Sequence, residues 1–148
     1  ASVYSIDCSL YALRIGIIER FIKENKLEER VHIISNVPFD DLPAFYQLAE
    51  IFVYPSRFEG FGIPIIEALY SGIPVVAATG SCLEEAGGPD SIYVHPDDIK
   101  GMANAFKQIY SDTERKKEMI EKGQKFAKRF SEEKQAEEIL NIYKKLMK

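Results

Sequence analysis

Apolar residues along this chain come in short runs that alternate between two periods. The blocks Ile51-Phe52-Val53-Tyr54 and Ile73-Pro74-Val75-Val76-Ala77 are almost wholly β-branched or aromatic, and read as strands buried on both faces. Further strands are predicted over 2–7, 31–35 and 92–94. Between the strands, apolar positions recur every three or four residues. Leu10, Leu13, Ile17 and Phe21 predict a helix over 10–25 capped by Ser9, and Asp40 is placed to cap a helix over 41–49 with Pro43 in its first turn. Ile65, Ile66, Ala68 and Leu69 give the apolar face of a helix that Pro64 begins and Gly72 ends. Thr79-Gly80-Ser81 opens a short helical turn that Gly87-Gly88-Pro89 closes. Three helices finish the chain. One over 99–111 uses Met102, Phe106 and Ile109; one over 113–130 uses Met119, Gly123, Phe126 and Phe130; the last, capped by Ser131, puts Ile139, Leu140, Tyr143 and Leu146 on one face. Strands alternating with helices predict an α/β fold, a doubly wound, Rossmann-like parallel sheet that binds ligands at the carboxyl ends of its strands.

The candidate chemistry lies on one such end. Pro55-Ser56-Arg57-Phe58-Glu59-Gly60-Phe61-Gly62-Ile63 connects the predicted strand at 51–54 to the helix that follows. Gly60 and Gly62 let the backbone take positive φ and let a ligand approach its amides. The first amides of a helix lack intrahelical partners and carry the positive end of the dipole, so the turn suits a phosphate. Glu59 and Glu67 bracket it, and carboxylates suit hydroxyls better than anions. A carboxylate accepts both hydrogens of a vicinal diol, so a ligand with a sugar at each end and phosphates between would satisfy all three features. Arg57 has two readings, a phosphate contact or a pair with a surface acid such as Glu59.

Glu59-x7-Glu67 with Gly60-Phe61-Gly62-Ile63-Pro64 between, and Glu67-Ala68-Leu69-x-x-Gly72-Ile73-Pro74-Val75-Val76 behind, resembles the donor-site signature of family 4 glycosyltransferases, which have the GT-B fold. The resemblance implies that Glu59 faces hydroxyls of the transferred sugar, as the candidate catalytic residue, and that Glu67 binds the ribose of the nucleotide. It places the backbone of Gly60, Phe61 and Gly62 at the sugar, and Ile63 at the nucleotide side. The second turn, at Gly80 and Ser81, also faces the donor in that family; the alternative is a loop that merely caps a helix. No cofactor is implied, the nucleotide-sugar, such as a UDP- or GDP-sugar, being a substrate. No metal is implied either, and the chain has no Asp-x-Asp sequence. Transfer would go with retention to a glycan or lipid-linked acceptor held by an N-terminal domain that these residues do not include.

By the family's order, the strand at 2–7 matches the second strand of the C-terminal domain. The first strand and its helix, which usually bring the arginine and lysine facing the diphosphate, have no match here. Either that segment exists outside these residues or the sheet closes differently. Taken alone, these residues are expected to bind donor weakly and to transfer nothing. The rival readings are a non-catalytic nucleotide-sugar-binding or regulatory module of the same fold, and a nucleotide-sugar epimerase or a phosphorylase.

Composition narrows the remaining classes. At 148 residues and 46% hydrophobic content, one domain with its own core is expected. A net charge of −4 gives no electrostatic case for nucleic acid. No apolar run approaches the roughly 20 residues that span a bilayer. No signal peptide is expected, and a start at Ala1 rather than methionine suits a piece of a longer chain. Cys8 and Cys82 lack metal-ligand spacing and read as small packing residues in a reducing compartment, so the expected location is cytoplasmic, the inner face of a membrane included. His32 reads as a half-buried strand histidine, and His95 carries no expected role. Oligomeric state is not legible in the sequence.

Overall fold

The computed structural model describes residues 3–6 and 12–147. The elements run β1 (Val3–Ile6), α1 (Ala12–Glu24), β2 (Val31–Ile34), α2 (Leu42–Leu48), β3 (Phe52–Tyr54), α3 (Ile63–Tyr70), β4 (Val75–Ala78), α4 (Leu83–Gly87), β5 (Ile92–Val94), α5 (Ile99–Ser111), α6 (Thr113–Ala127) and α7 (Glu132–Leu146). The chain is α/β, and every described strand pair is parallel. Where one domain is expected from length, two compact units form, Ala1–Leu42 and Pro43–Lys148.

In the first unit β1 and β2 pair in register from Val3 opposite Val31 to Ile6 opposite Ile34. His32 is half-buried in β2, as its place in a strand predicts. Of the apolar face expected on α1, Ile17 and Phe21 are exposed, and among the described side chains of the helix Ile22 is the buried one. A two-stranded sheet is too narrow to cover a whole helix face. Cys8, the Ser9 cap and the helix start at Leu10 lie outside the described residues. Asp40 does not cap the next helix but sits within a 3-10 turn, Phe39–Asp41, that leads into α2.

The second unit carries the core. Its sheet has the order β3-β4-β5, so β4 is central. Val75, Val76, Ala77 and Ala78 are all buried. Val75 and Ala77 pack with Ile65, Ala68 and Leu69 of α3 and with Leu83 and Ala86 of α4. Val76, on the other side, packs with Ala105 and Ile109 of α5 and Met119 of α6. A strand covered on both faces must be apolar at every position, which the run at 73–77 satisfies. β3 differs from expectation. It is an edge strand among the described residues, and Phe52, Val53 and Tyr54 are only half-buried.

Helix ends follow the sequence closely in the second unit. Asp98 caps α5, Asp112 caps α6 and Ser131 caps α7, each accepting from the amide three residues on. α7, however, buries none of its apolar residues, and Ile139, Leu140, Tyr143 and Leu146 are exposed.

Gly88 ends α4 at φ 69° and ψ −178°, a region essentially open to glycine alone. A Cβ there would lie 2.8 Å from the Phe126 ring, and the Gly88 carbonyl accepts from the Tyr93 hydroxyl at 2.6 Å. Gly88→Ala combines backbone strain with overpacking, so a loss of about 2–4 kcal/mol is expected. Urea titration should show a lower midpoint at an unchanged slope.

Burial pushes the Tyr93 hydroxyl up to about 12, with the nearby Ser91 hydroxyl opposing the shift and Glu84 adding to it. The folded state then holds the Tyr93 proton more tightly than the unfolded chain. Its contribution is complete below the ordinary value of 10.0 and is lost as pH rises toward about 12. Denaturant titrations across that window should show a steeper fall for the parent than for Tyr93→Phe.

Candidate functional site

The loop between β3 and α3 is held at both ends. Phe52 donates its backbone N–H to Pro74 O at 3.0 Å, which locks β3 onto the start of β4. At the other end Gly62, at φ 112° and ψ 41°, is the residue before α3. A Cβ on Gly62 would meet Leu83 Cδ2 at 3.0 Å and Ala86 Cβ at 3.2 Å, so both the positive φ and the close approach of α4 require glycine. Ile63 rather than Pro64 opens the helix, and Pro64 takes its second position. The Ile65 amide already bonds Gly62 O at 2.9 Å. The amides that remain for a ligand are therefore those of the loop itself, Gly60 to Ile63, since among the described residues none of these has an acceptor.

The residues singled out from sequence separate into those that face outward and those that do not. Glu59 and Gly60 are exposed, and nothing lies within 4 Å of where a Gly60 Cβ would be. Ile63 is exposed as well. Phe61 turns inward, its ring 5.6 Å from Phe130 in an edge-to-face contact, which leaves its backbone as the part a ligand can reach. Glu67 lies half-buried on α3, off the face that buries Ile65, Ala68 and Leu69.

Each glutamate has a tyrosine. Tyr54 donates its hydroxyl to Glu59 Oε1 at 2.9 Å, and Tyr46 donates to Glu67 Oε2 at 2.9 Å. Phe52 stands between the two tyrosines, with ring centroids 5.5 Å from Tyr46 and 5.8 Å from Tyr54. Phe52 and Tyr54 are two residues apart on β3 and so share a face of the strand. The three rings thus join the carboxylates on one side of the sheet.

The charged neighbours are engaged elsewhere. Arg57 meets an acid, but that acid is Asp97 of the segment after β5 rather than Glu59, through a two-point contact that includes Nη1 to Oδ2 at 3.2 Å. The pairing raises the Arg57 guanidinium and lowers the Asp97 carboxyl from their ordinary values. His95 Nδ1 is 3.8 Å from Asp97. In the second turn Glu84 accepts from the Thr79 hydroxyl and from the Gly80 amide at 3.2 Å, and the Thr79 bond is the main cause that lowers its carboxyl. Ser81 accepts from the Leu83 amide at 3.4 Å. Gly80 and Ser81 therefore build the entry to α4, and the Gly80 amide is already occupied. Cys82 does more than fill space: its thiol donates to Glu59 O at 3.2 Å and ties the second turn to the first.

Sequence reasoning missed Tyr46, Tyr54, Cys82, Glu84 and Asp97. Tyr54 was visible as the last strand residue before the loop, two positions from Phe52 on the same face. Nothing local marks Tyr46, whose partner is 21 residues away. Two shallow grooves lie apart from both glutamates. One, of about 340 Å3, runs between Glu84, Tyr93, Phe126 and Arg129; the other is an apolar furrow along Pro55, Ile99, Met102 and Phe106. The glutamates instead flank open surface.

Comparison with known proteins gives the family. Residues 18–126 match the family described as Glycosyl transferases group 1. An O-antigen chain mannosyltransferase B of Escherichia coli is 32% identical over 130 residues, which is 88% of this chain and 34% of that protein. The chain spans about a third of the length of the curated relatives it matches. Among solved structures, the sucrose-phosphate synthase of Thermosynechococcus elongatus superposes over 97% of this chain and 38% of its own with a TM-score of 0.82 at 26% identity. HepE of Anabaena, solved with UDP, does so over 98% of this chain and 41% of its own, with a TM-score of 0.86 at 21% identity. It has also been solved with UDP-glucose. The parallel α/β architecture is that of the C-terminal domain of GT-B glycosyltransferases. Because the matched residues run from α1 through α6 and take in Glu59, the glycine loop and Glu67, the chain belongs to the group 1 glycosyltransferase family.

Proposed function

We propose that this chain binds a nucleotide-sugar donor and that, in the full-length protein, the sugar passes to an acceptor hydroxyl with retention and without a metal ion. The observation that carries the reading is the pair of carboxylates, joined through one row of rings, on either side of a loop whose amides have no acceptor. Glu67 keeps Oε1 available to accept from a ribose diol, and Glu59 keeps Oε2 for a hydroxyl of the transferred sugar. The amides of Gly60 to Ile63 lie between, where a diphosphate would sit at the N-terminus of α3. HepE, with UDP and with UDP-glucose, supports a donor of this kind, and the mannosyltransferase relative supports a glycan acceptor.

In such a transfer the bond from the anomeric carbon to the diphosphate oxygen breaks, and negative charge grows on the departing diphosphate. Donors already aimed at that charge lower the barrier without reorganising. The loop amides and the dipole of α3 fill this role. Arg57 is held by Asp97 and is not assigned to the diphosphate. Glu59 positions the sugar through its hydroxyls and is not assigned as a nucleophile. The proposed setting is cytoplasmic synthesis of a polysaccharide, beside a membrane where the acceptor is lipid-linked.

Glu67→Ala should weaken nucleoside diphosphate binding by about 10-fold to 100-fold, from one or two lost bonds to a charged acceptor. Calorimetry with UDP and with GDP measures this, and unchanged affinity for both would remove Glu67 from the site. Glu59→Ala in the full-length protein should lower turnover while leaving nucleoside diphosphate affinity near the parent value. Steady-state kinetics that match the parent would contradict the role given to Glu59.

A further inference from the structure

Both glutamates are long, flexible side chains at or near the surface, and a diol-binding carboxylate needs a fixed plane. A free glutamate loses rotamer entropy when a ligand orders it. Each carboxylate here is already ordered through one oxygen by a phenol, with the other oxygen left over. A phenol donates one hydrogen and carries no charge, so it orients the carboxylate without neutralising it, whereas a guanidinium would cover both oxygens. The chain's nearby arginine, Arg57, is indeed turned away to Asp97.

The phenols are themselves held. Tyr54 stacks on Phe52 at an interplanar angle of 17°, and Tyr46 meets the other side of the row at 54°. Phe52 and Tyr54 belong to β3, which hydrogen-bonds β4 from Phe52 opposite Val75 to Tyr54 opposite Ala77. All three rings pack against the buried cluster around Val75 and Ala77. The Tyr54 hydroxyl is thus held by the sheet, and the Tyr46 hydroxyl by α2 and its ring contact with Phe52, rather than by the loop.

We propose that Tyr46 and Tyr54 are positioning residues for the donor, Tyr46 aligning Glu67 for the nucleoside end and Tyr54 aligning Glu59 for the transferred sugar. The proposal rests on the donor-binding reading above. It divides the labour between two hydroxyls that a purely structural role would treat alike.

The test is a pair of double-mutant cycles in the full-length protein, with UDP and GDP as probes and the matching UDP- and GDP-glucose as sugar-bearing probes. Replacing tyrosine by phenylalanine keeps the ring row, and thermal melting checks that the fold is retained. Tyr46→Phe should weaken the nucleoside diphosphate by about 3-fold to 10-fold, the net effect of one hydrogen bond. In a Glu67→Ala background it should weaken it no further. Tyr54→Phe should leave nucleoside diphosphate affinity within about 2-fold. It should reduce the added affinity or the turnover of the sugar-bearing probe, and Glu59→Ala should abolish that effect. Equal losses from both phenylalanine variants on every probe, or additive losses with the glutamate variants, would overturn the proposal while leaving the donor site in place. Unchanged affinity in Glu67→Ala itself would remove the donor reading, and this inference with it.

Discussion

Complete burial of β4 is the constraint from which the site follows. Val75 and Ala77 face α3 and α4, Val76 faces α5 and α6, and no position on the strand reaches water. Such a strand has to be covered by helices on both sides, and the helix on one side has to start close to the strand's carboxyl end. α3 meets that need by lying against α4 so tightly that Gly62 has no room for a side chain. The same contact fixes where the loop before α3 ends and how its amides point. A binding loop on this scaffold is positioned by core packing, not by its own sequence alone.

The electrostatics of the surface around the loop follow a consistent division. Charged groups beside the loop are paired off: Arg57 with Asp97, and Glu84 with the Thr79 hydroxyl and the Gly80 amide. These pairs are exposed and add little stability. Their effect is local: among the described residues, the side-chain donors on Glu59 and Glu67 are the neutral phenols of Tyr54 and Tyr46. An acceptor that already carries a strong ion pair would bind a sugar hydroxyl less well, because one interaction competes with the other for the same lone pairs.

The fold was legible because its signals are local. β5 and α5 lie where the apolar pattern puts them, as does the Ser131 cap of α7, since each depends on residues within a few positions. Glu59 and Glu67 were legible as a pair because their spacing straddles a strand end and a helix start. What failed had long-range causes. β3 reads as a strand buried on both faces, yet among the described residues it pairs on one side only and is half-buried, and nothing in four residues tells a central strand from an edge strand. The apolar stripe of α7 is plain in the sequence, and its exposure is not, because periodicity reports an amphipathic face without reporting a cover. Tyr46 is invisible for the same reason in a sharper form: a lone tyrosine on a short helix gains meaning only when the chain returns with Glu67.

That return also gives the two carboxylates a common support. Glu67 is placed by α3 and Glu59 by the loop before it. A loop carboxylate anchored only at its backbone would wander relative to a helical one. The row Tyr46, Phe52 and Tyr54 supplies a common reference, because β3 is hydrogen-bonded to a strand with no freedom to shift. The Cys82 thiol adds a second restraint on Glu59 from the opposite turn. The two acids then share one row of rings as support, and carboxylates oriented before a ligand arrives lower the ordering cost at the moment of binding.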